Sequence, residues 1–335
     1  MHSEGGDWVV RIVIAGSGYM GAVHSERLSQ IPNVHVVGVL ARSLGSAETL
    51  AAPWGARATT SLEELLAIPC DAVDICLPTD RHATTALAAF AAKRHVICEK
   101  PIALRVEDAL TMAAAAQAAD RLLLIAHVLR FWPEYRAARD LVRAGEIGQP
   151  TAALARRLKY SASDPLTNRR ESGGPVVDLQ IHDVDFLQWC FGTTPLRVAA
   201  AGSEYHTFST LVFSDGAASI EAGSDLPAGY PFASQVEIRG DRGFLSYLYR
   251  AGGERVEQAG GESLLRLWRQ SGTAVLPAVP PGEAYALELE HFVDCIRRHE
   301  PSAIITPQEA AQALQTSLAL RDALKGGAMA VPQLQ

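Results

Sequence analysis

The 335-residue chain has only five cysteines, and no two form a Cys-x-x-Cys pair. Their wide spacing (Cys70, Cys76, Cys98, Cys190, Cys295) and odd number suit reduced, mostly buried thiols in a cytosolic protein, with a catalytic or metal-binding thiol as the alternative. No stretch approaches the ~18 consecutive apolar residues of a membrane span. Basic runs and basic amphipathic helices are also missing, and the net charge is −7. Phosphate binding needs clustered Lys and Arg, so this charge argues against a general nucleic-acid surface. Residues 1–7 are polar and acidic, unlike a signal peptide. Internal repeats and low-complexity linkers are absent too. These absences leave a cytoplasmic protein with a small-molecule partner, and with neither nucleic acid nor membrane as partner.

What remains is ordinary globular material, with 48% hydrophobic and 20% charged residues. The length suffices for two domains, each with its own core. Residues 8–15 form a short apolar run ending at glycine, as a buried parallel strand does. Further runs at Val34–Leu40, Ala72–Leu77, His95–Cys98 and Leu122–Ala126 alternate with helical stretches. Those stretches run from the glycines to about Gln30, from the capping-box pattern Ser61-Leu-Glu-Glu64, over Ala83–Ala92, and over Val106–Ala119. Alternation of this kind implies a doubly wound parallel sheet.

After His127 the pattern changes. A helix over about Glu134–Ala144 ends at Gly145, and period-two segments follow at Ala152–Tyr160, Arg197–Gly202, Thr207–Phe213, Ala217–Ala222 and Gln235–Arg239. Ser214-Asp215-Gly216 signals a hairpin. A helix over Val177–Cys190 interrupts these strands. Ala251–Gly261 reads as a loop, and the chain is helical again from Glu283. The fold class expected is therefore α/β, with residues 1–126 a Rossmann domain. Residues 127–335 form an α/β domain with a large, mostly antiparallel open sheet.

Gly16-Ser17-Gly18-Tyr19-Met20-Gly21 is G-x-G-x-x-G between a strand and a helix. Its glycines allow a tight turn, approach of a pyrophosphate to the backbone, and close packing of helix on strand. The helix N-terminus adds free N–H groups and a positive dipole. At the end of the second strand, where an acidic residue would bind the ribose of NAD, the sequence reads Leu40-Ala41-Arg42-Ser43. A guanidinium and a hydroxyl there favour the 2′-phosphate of NADP(H) over NAD(H), with a solvated loop arginine as the alternative.

Lys100 follows the strand His95–Cys98, at the sheet edge where ligands of such folds bind, and Pro101 restricts its backbone to extended conformations. A surface loop lysine is the alternative. Asp178 and His182, at i and i+4, share one helix face, which Asp185 extends. Three readings stand: an imidazole general base oriented by a carboxylate, metal ligands, or a structural cluster near a helix N-terminus. No second group of His or Cys at ligand spacing supports a metal, and none is expected.

Four motifs occur in order: the glycine fingerprint followed by His24, Leu77-Pro-Thr-Asp-Arg-His82, His95-Val-Ile-Cys-Glu-Lys-Pro101, and Ser172-Gly-Gly-Pro-Val-Val-Asp-Leu-Gln-Ile-His182. Together they resemble the glucose–fructose oxidoreductase/inositol dehydrogenase (Gfo/Idh/MocA) family, over most of the chain and most densely across Val10–Ala126 and Arg130–Asp185. The resemblance implies that Lys100, Asp178 and His182 are catalytic and touch substrate. It implies further that Leu77, Pro78, Thr79, His82 and Glu99 lie along an NAD(P) cofactor, and that Arg130, Tyr160, Asn168, Arg169 and Tyr230 line the substrate pocket. Two positions depart from the family: Pro175 replaces a frequent third glycine, and Asp80 replaces a common asparagine. The activity implied is hydride transfer between nicotinamide and a secondary alcohol or ketone of a sugar, inositol or related polyol, in a homodimer or homotetramer. Two alternatives are a non-catalytic dinucleotide sensor and an enzyme that cleaves glycosides through transient oxidation.

Overall fold

The computed structural model describes residues 8–161, 174–203, 205–256, 258–272 and 274–326. The chain divides into two compact units. One comprises Met1–Phe131 and Gly282–Ala311, the other Trp132–Pro281 and Gln312–Gln335.

The first unit carries β1 (Val10–Ala15), α1 (Tyr19–Leu28), β2 (Val34–Leu40), α2 (Leu44–Ala51), β3 (Arg57–Thr59) and α3 (Leu62–Leu66). It continues through β4 (Ala72–Ile75), α4 (His82–Ala91), β5 (His95–Glu99), α5 (Val106–Ala119) and β6 (Leu123–Ala126). The strands form one sheet in the order β3-β2-β1-β4-β5-β6, and every pairing is parallel. Strand order reverses beside β1, so the crevice for a ligand lies outside the carboxyl ends of β1 and β4. β1 and β4 are almost wholly buried, because helices cover both faces of the sheet. Ser61 caps α3 by accepting the Glu64 N–H at 3.4 Å, as its capping pattern requires.

The second unit begins with α6 (Pro133–Arg143) and β7 (Pro150–Leu158). Where one helix over Val177–Cys190 is expected, there are two, α7 (Pro175–Asp178) and α8 (Ile181–Phe191). The break falls at Leu179–Gln180. Gln180, fully buried, donates from Nε2 to Thr207 Oγ1 (2.9 Å) and accepts from Ser209 Oγ (3.0 Å). These side-chain bonds tie the break to the sheet. Then come β8 (Arg197–Gly202), β9 (His206–Val212), β10 (Ala217–Gly223), β11 (Ala233–Gly240), β12 (Gly243–Arg250), β13 (Glu262–Arg269) and β14 (Ala274–Val275). The order is β14-β13-β12-β11-β7-β10-β9-β8. All pairings are antiparallel except β7 with β10. Ser214-Asp215-Gly216 makes the β9–β10 turn, with Phe213 N–H donating to the Gly216 carbonyl at 2.8 Å.

One face of this sheet packs its alternate residues, among them Ala155, Thr207, Leu211, Ile220, Val236 and Ile238, into the core. Arg157 points inward as well and makes a bidentate pair with Asp183 of α8 (2.8 and 2.9 Å). A fork-to-fork pair of this kind is what makes a buried guanidinium tolerable. On the opposite face Leu154 and Phe208 are exposed.

Two helices close the chain, α9 (Ala284–Arg298) and α10 (Pro307–Gly326). α9 returns to the first unit and buries Leu289, Phe292, Val293 and Ile296. The sequence boundary expected near residue 127 does not anticipate this exchange. The apolar face of α9 packs on α1 and β1, far from it in the chain.

Candidate active site

The carboxyl edge of the parallel sheet gathers the residues expected to hold a dinucleotide. Gly16 has φ +123°, and a Cβ there would collide with the Cys76 carbonyl oxygen. A Cβ on Gly21 would strike the carbonyl oxygen of Gly16. Gly18 is different: it is exposed, and nothing lies within 4 Å of where its Cβ would be. Two glycines thus serve chain packing, and the middle one leaves open backbone in front of α1. Gly18 is itself the N-cap of α1, with no side-chain cap and no acidic residue in the first turn. Those N–H groups and the helix dipole suit a pyrophosphate. Tyr19 is exposed and Met20 half-buried beside it.

At the end of β2, Ala41 is buried and donates its N–H to the Thr59 carbonyl at 3.1 Å. Arg42 is exposed and makes no ion pair among the described residues. Ser43 caps α2, accepting the Ser46 N–H at 3.3 Å. A cation and a helix N-terminus therefore stand together at the end of β2.

Past β4, Leu77 is half-buried, Pro78 exposed and Thr79 buried. His82 is almost fully buried, so it acts inside the wall of the crevice. Its Nε2 lies 2.8 Å from the Leu77 carbonyl oxygen and its Nδ1 2.9 Å from that of Pro101. The ring thus sits between the loops after β4 and β5, and in its neutral form donates to one of these two carbonyls. Burial holds its pKa below the usual histidine value.

Glu99 ends β5, 7% exposed, and its Oε2 accepts the Lys100 N–H at 3.0 Å. The Lys100–Pro101 peptide bond is cis, and the Lys100 side chain is half-buried. Behind Glu99 lies a cluster that the sequence reading left without a role. His24 Nδ1 lies 2.9 and 3.1 Å from the two Asp74 oxygens and 3.4 Å from Cys76 Sγ. Its Nε2 is 3.2 Å from Glu99 Oε1, close enough for charge attraction though out of line for a hydrogen bond. His24 and Asp74 are both fully buried. Burial opposes charge on the ring, but the Asp74 carboxylate outweighs it and the His24 pKa is raised well above normal. Burial pushes the Cys76 thiol up to about 12, so it keeps its proton. The sequence signal was there: Asp74 interrupts an apolar strand and His24 sits on the buried face of α1.

Arg130 is buried at the end of the parallel sheet. Its side chain is 3% exposed, and Nη1 donates to the Ile304 carbonyl and to Glu309 Oε1, both at 2.8 Å. The guanidinium joins the end of the parallel sheet to the segment before α10.

In the second unit Asp178 ends α7 and His182 lies in the first turn of α8. Both are half-buried, while Val176, Val177, Leu179, Gln180, Ile181 and Asp183 around them are buried. The two polar side chains therefore come from the less buried side of an otherwise interior segment. Gln180 anchors that segment to Thr207, whose strand partner is Ala222. Next in register, Gly223 pairs with Leu158. Tyr160 lies two residues beyond Leu158 and bridges Asp225, so it shares this end of the sheet. Tyr230 is half-buried in a turn, its N–H donating to the Pro227 carbonyl at 3.0 Å. Asn168 and Arg169 fall outside the described residues.

Comparison with known proteins agrees with this two-part fold. Residues 10–127 match the model of an oxidoreductase family with an NAD-binding Rossmann fold, and residues 135–246 match the GFO/IDH/MocA C-terminal domain. The chain is 30% identical over 286 residues to 1,5-anhydro-D-fructose reductase of Ensifer adhaerens, covering 81% of this chain and 83% of that protein. It is 27% identical over 338 residues to scyllo-inositol 2-dehydrogenase (NAD(+)) of Bacillus subtilis (strain 168), covering 95% of each. Among solved structures, aldose-aldose oxidoreductase from Caulobacter crescentus complexed with glycerol superimposes with a TM-score of 0.83 at 20% identity. That match covers 96% of this chain and 99% of the other. The chain belongs to the Gfo/Idh/MocA family of oxidoreductases.

Proposed function

We propose that this oxidoreductase transfers a hydride between NAD(P) and a secondary alcohol or ketone of a sugar, inositol or related polyol. The observation that carries the reading is the open backbone at Gly18, at the same sheet edge as Lys100. The nicotinamide, when bound, supplies hydride acceptance or donation. The chain supplies the rest. His182 takes the hydroxyl proton in the oxidative direction, Asp178 orients its ring, and Lys100 hydrogen-bonds the reacting oxygen and stabilises developing negative charge. The half-burial of Asp178 and His182 suits groups that must meet a ligand while their backbone stays fixed. Relatives named for anhydrofructose reduction and inositol oxidation support a polyhydroxylated substrate.

Arg42, exposed beside the N-terminus of α2, favours NADP(H). The relative named for NAD(+) reads the other way, so dissociation constants for both cofactors decide this point. Tighter NAD binding ends the Arg42 assignment.

The test of the main reading is a screen of sugars, inositols and their keto derivatives with each cofactor, followed by nicotinamide absorbance. At least one pair should give substrate-dependent turnover. Lys100→Met should lower that turnover by ~10²–10⁴ with cofactor binding retained. A variant keeping more than about a tenth of the activity removes Lys100 from the mechanism. Release of a sugar without net cofactor change would favour glycoside cleavage instead.

A further inference from the structure

Glu288, on the buried side of α9, is fully buried, and neither of its carboxyl oxygens has a hydrogen-bond partner among the described residues. Its charged neighbours are Glu99, His24, Asp74 and Glu283. It therefore joins the cluster behind Lys100, in which His24 already stands between Asp74 and Glu99. If every acid there were ionised, three carboxylates would surround one imidazolium away from water. An isolated buried carboxylate is strongly disfavoured and takes up a proton instead. Asp74 lies within hydrogen-bond distance of the His24 ring, and Glu99 accepts the Lys100 N–H and lies 3.2 Å from His24 Nε2. Glu288 makes no hydrogen bond among the described residues, and only the His24 charge opposes its proton.

We propose that Glu288 is the neutral, proton-carrying member of a buried His24–Asp74–Glu99–Glu288 cluster, and that His24 acts through Glu99 as the positioning residue for Lys100. The chain of contacts runs from Asp74 to His24, from His24 to Glu99, and from the Glu99 carboxylate to the Lys100 backbone N–H. With its proton, Glu288 leaves the attraction of the His24 ring to Asp74 and Glu99. Without it, a third negative charge would compete for the same ring and repel Glu99. Burial and the nearby Glu99 carboxylate both hold the Glu288 proton in place, the Glu288 pKa being raised well above normal. Other titratable groups facing the cluster are Cys76 after β4, Cys98 on β5, His82 at the start of α4, Tyr19 on α1, and Tyr285 and Glu283 at the start of α9. Cys76 and Tyr285 are themselves held protonated by burial. The positioning half of this inference rests on the assignment of Lys100 to hydride transfer; the proton on Glu288 does not.

The two halves are tested separately. Glu288→Gln replaces a neutral acid by a neutral isostere, so unfolding of the cofactor-free chain is compared for wild type and variant from pH 5.5 to 7.5. If wild type takes up one proton on folding, the ratio of its unfolding constant to that of the variant rises about tenfold per pH unit. A ratio flat with pH overturns the proposal. Should the variant fail to fold, infrared spectra of wild type carrying 13C-labelled glutamate give the same decision. A protonated glutamate carboxyl at pH 7.5 supports the proposal, and its absence overturns it. For positioning, His24→Gln should lower kcat at least about tenfold while the dissociation constant for reduced cofactor moves less than about threefold. Unchanged kcat overturns that half, as does an equal loss in both quantities. Asp74→Asn provides the second variant. The stability arm needs no substrate, so its failure is distinct from failure of the dehydrogenase reading.

Discussion

Gly18 and Gly21, three residues apart in one motif, have opposite physical jobs. Gly21 is needed because a side chain would run into the Gly16 carbonyl, whereas Gly18 faces open space. Gly21→Ala should therefore destabilise the fold by ~1–3 kcal/mol, the usual range for overpacking. Gly18→Ala, at φ −75°, should leave stability within ~0.5 kcal/mol and weaken dinucleotide binding by at least about tenfold, ~1.4 kcal/mol. Thermal melts and cofactor titrations of the two variants separate these effects. Equal loss of stability in both would remove the distinction. The motif was legible as a string, but not this division of labour, because it depends on which atoms the fold brings against each Cα. The same holds for Arg130, whose partner Glu309 lies 179 residues away and so leaves no local signal in the sequence.

At the scale of elements, the edge between β5 and β6 contains a neutral histidine. His95 Nδ1 accepts the Leu122 N–H at 3.0 Å, which requires an unprotonated nitrogen. Burial first, and then the positive groups His299 and Arg121, lower its pKa to about 4. The unfolded chain binds a proton near pH 6.5 that the folded chain refuses until about pH 4. Stability contributed by this histidine is thus present above pH 6.5 and lost as pH falls towards 4. His95→Gln should flatten that part of the profile of melting temperature against pH. An unchanged slope would show that His95 is protonated alike in both states.

Elements of the parallel sheet were readable because their apolar runs are bounded by glycine, proline and capping residues. The β9–β10 hairpin announced itself through Ser-Asp-Gly. β12 and β13 did not, since Leu245, Leu248, Leu264, Leu265, Leu267 and Arg266 are residues equally at home in helices. Only cross-strand partners make them strands. Splitting of the expected helix at Leu179–Gln180 was hidden for a related reason. It is secured by Gln180 bonding to Thr207 and Ser209, a contact between segments nearly thirty residues apart.

For the whole molecule, periodicity distinguishes the two units but not the exchange of chain between them, because nothing local to α9 says which sheet it will cover. The second sheet also leaves one face carrying Leu154 and Phe208 exposed beside Arg156, Glu221 and His206. An open sheet face of this composition suits pairing with a second copy of the chain. Light scattering should give a dimeric or tetrameric mass, and Phe208→Asp should shift it towards monomer. A monomeric wild type at micromolar concentration would contradict this assignment.

Lys100 and His182 are proposed above to serve one hydride transfer. A double-mutant cycle on kcat/KM, using Lys100→Met, His182→Ala and the double variant, tests it most directly. Groups that act on the same transition state are not additive, so the double variant should lose no more than about tenfold beyond the worse single variant. Losses that multiply in full would mean the two side chains work independently, and would contradict the account.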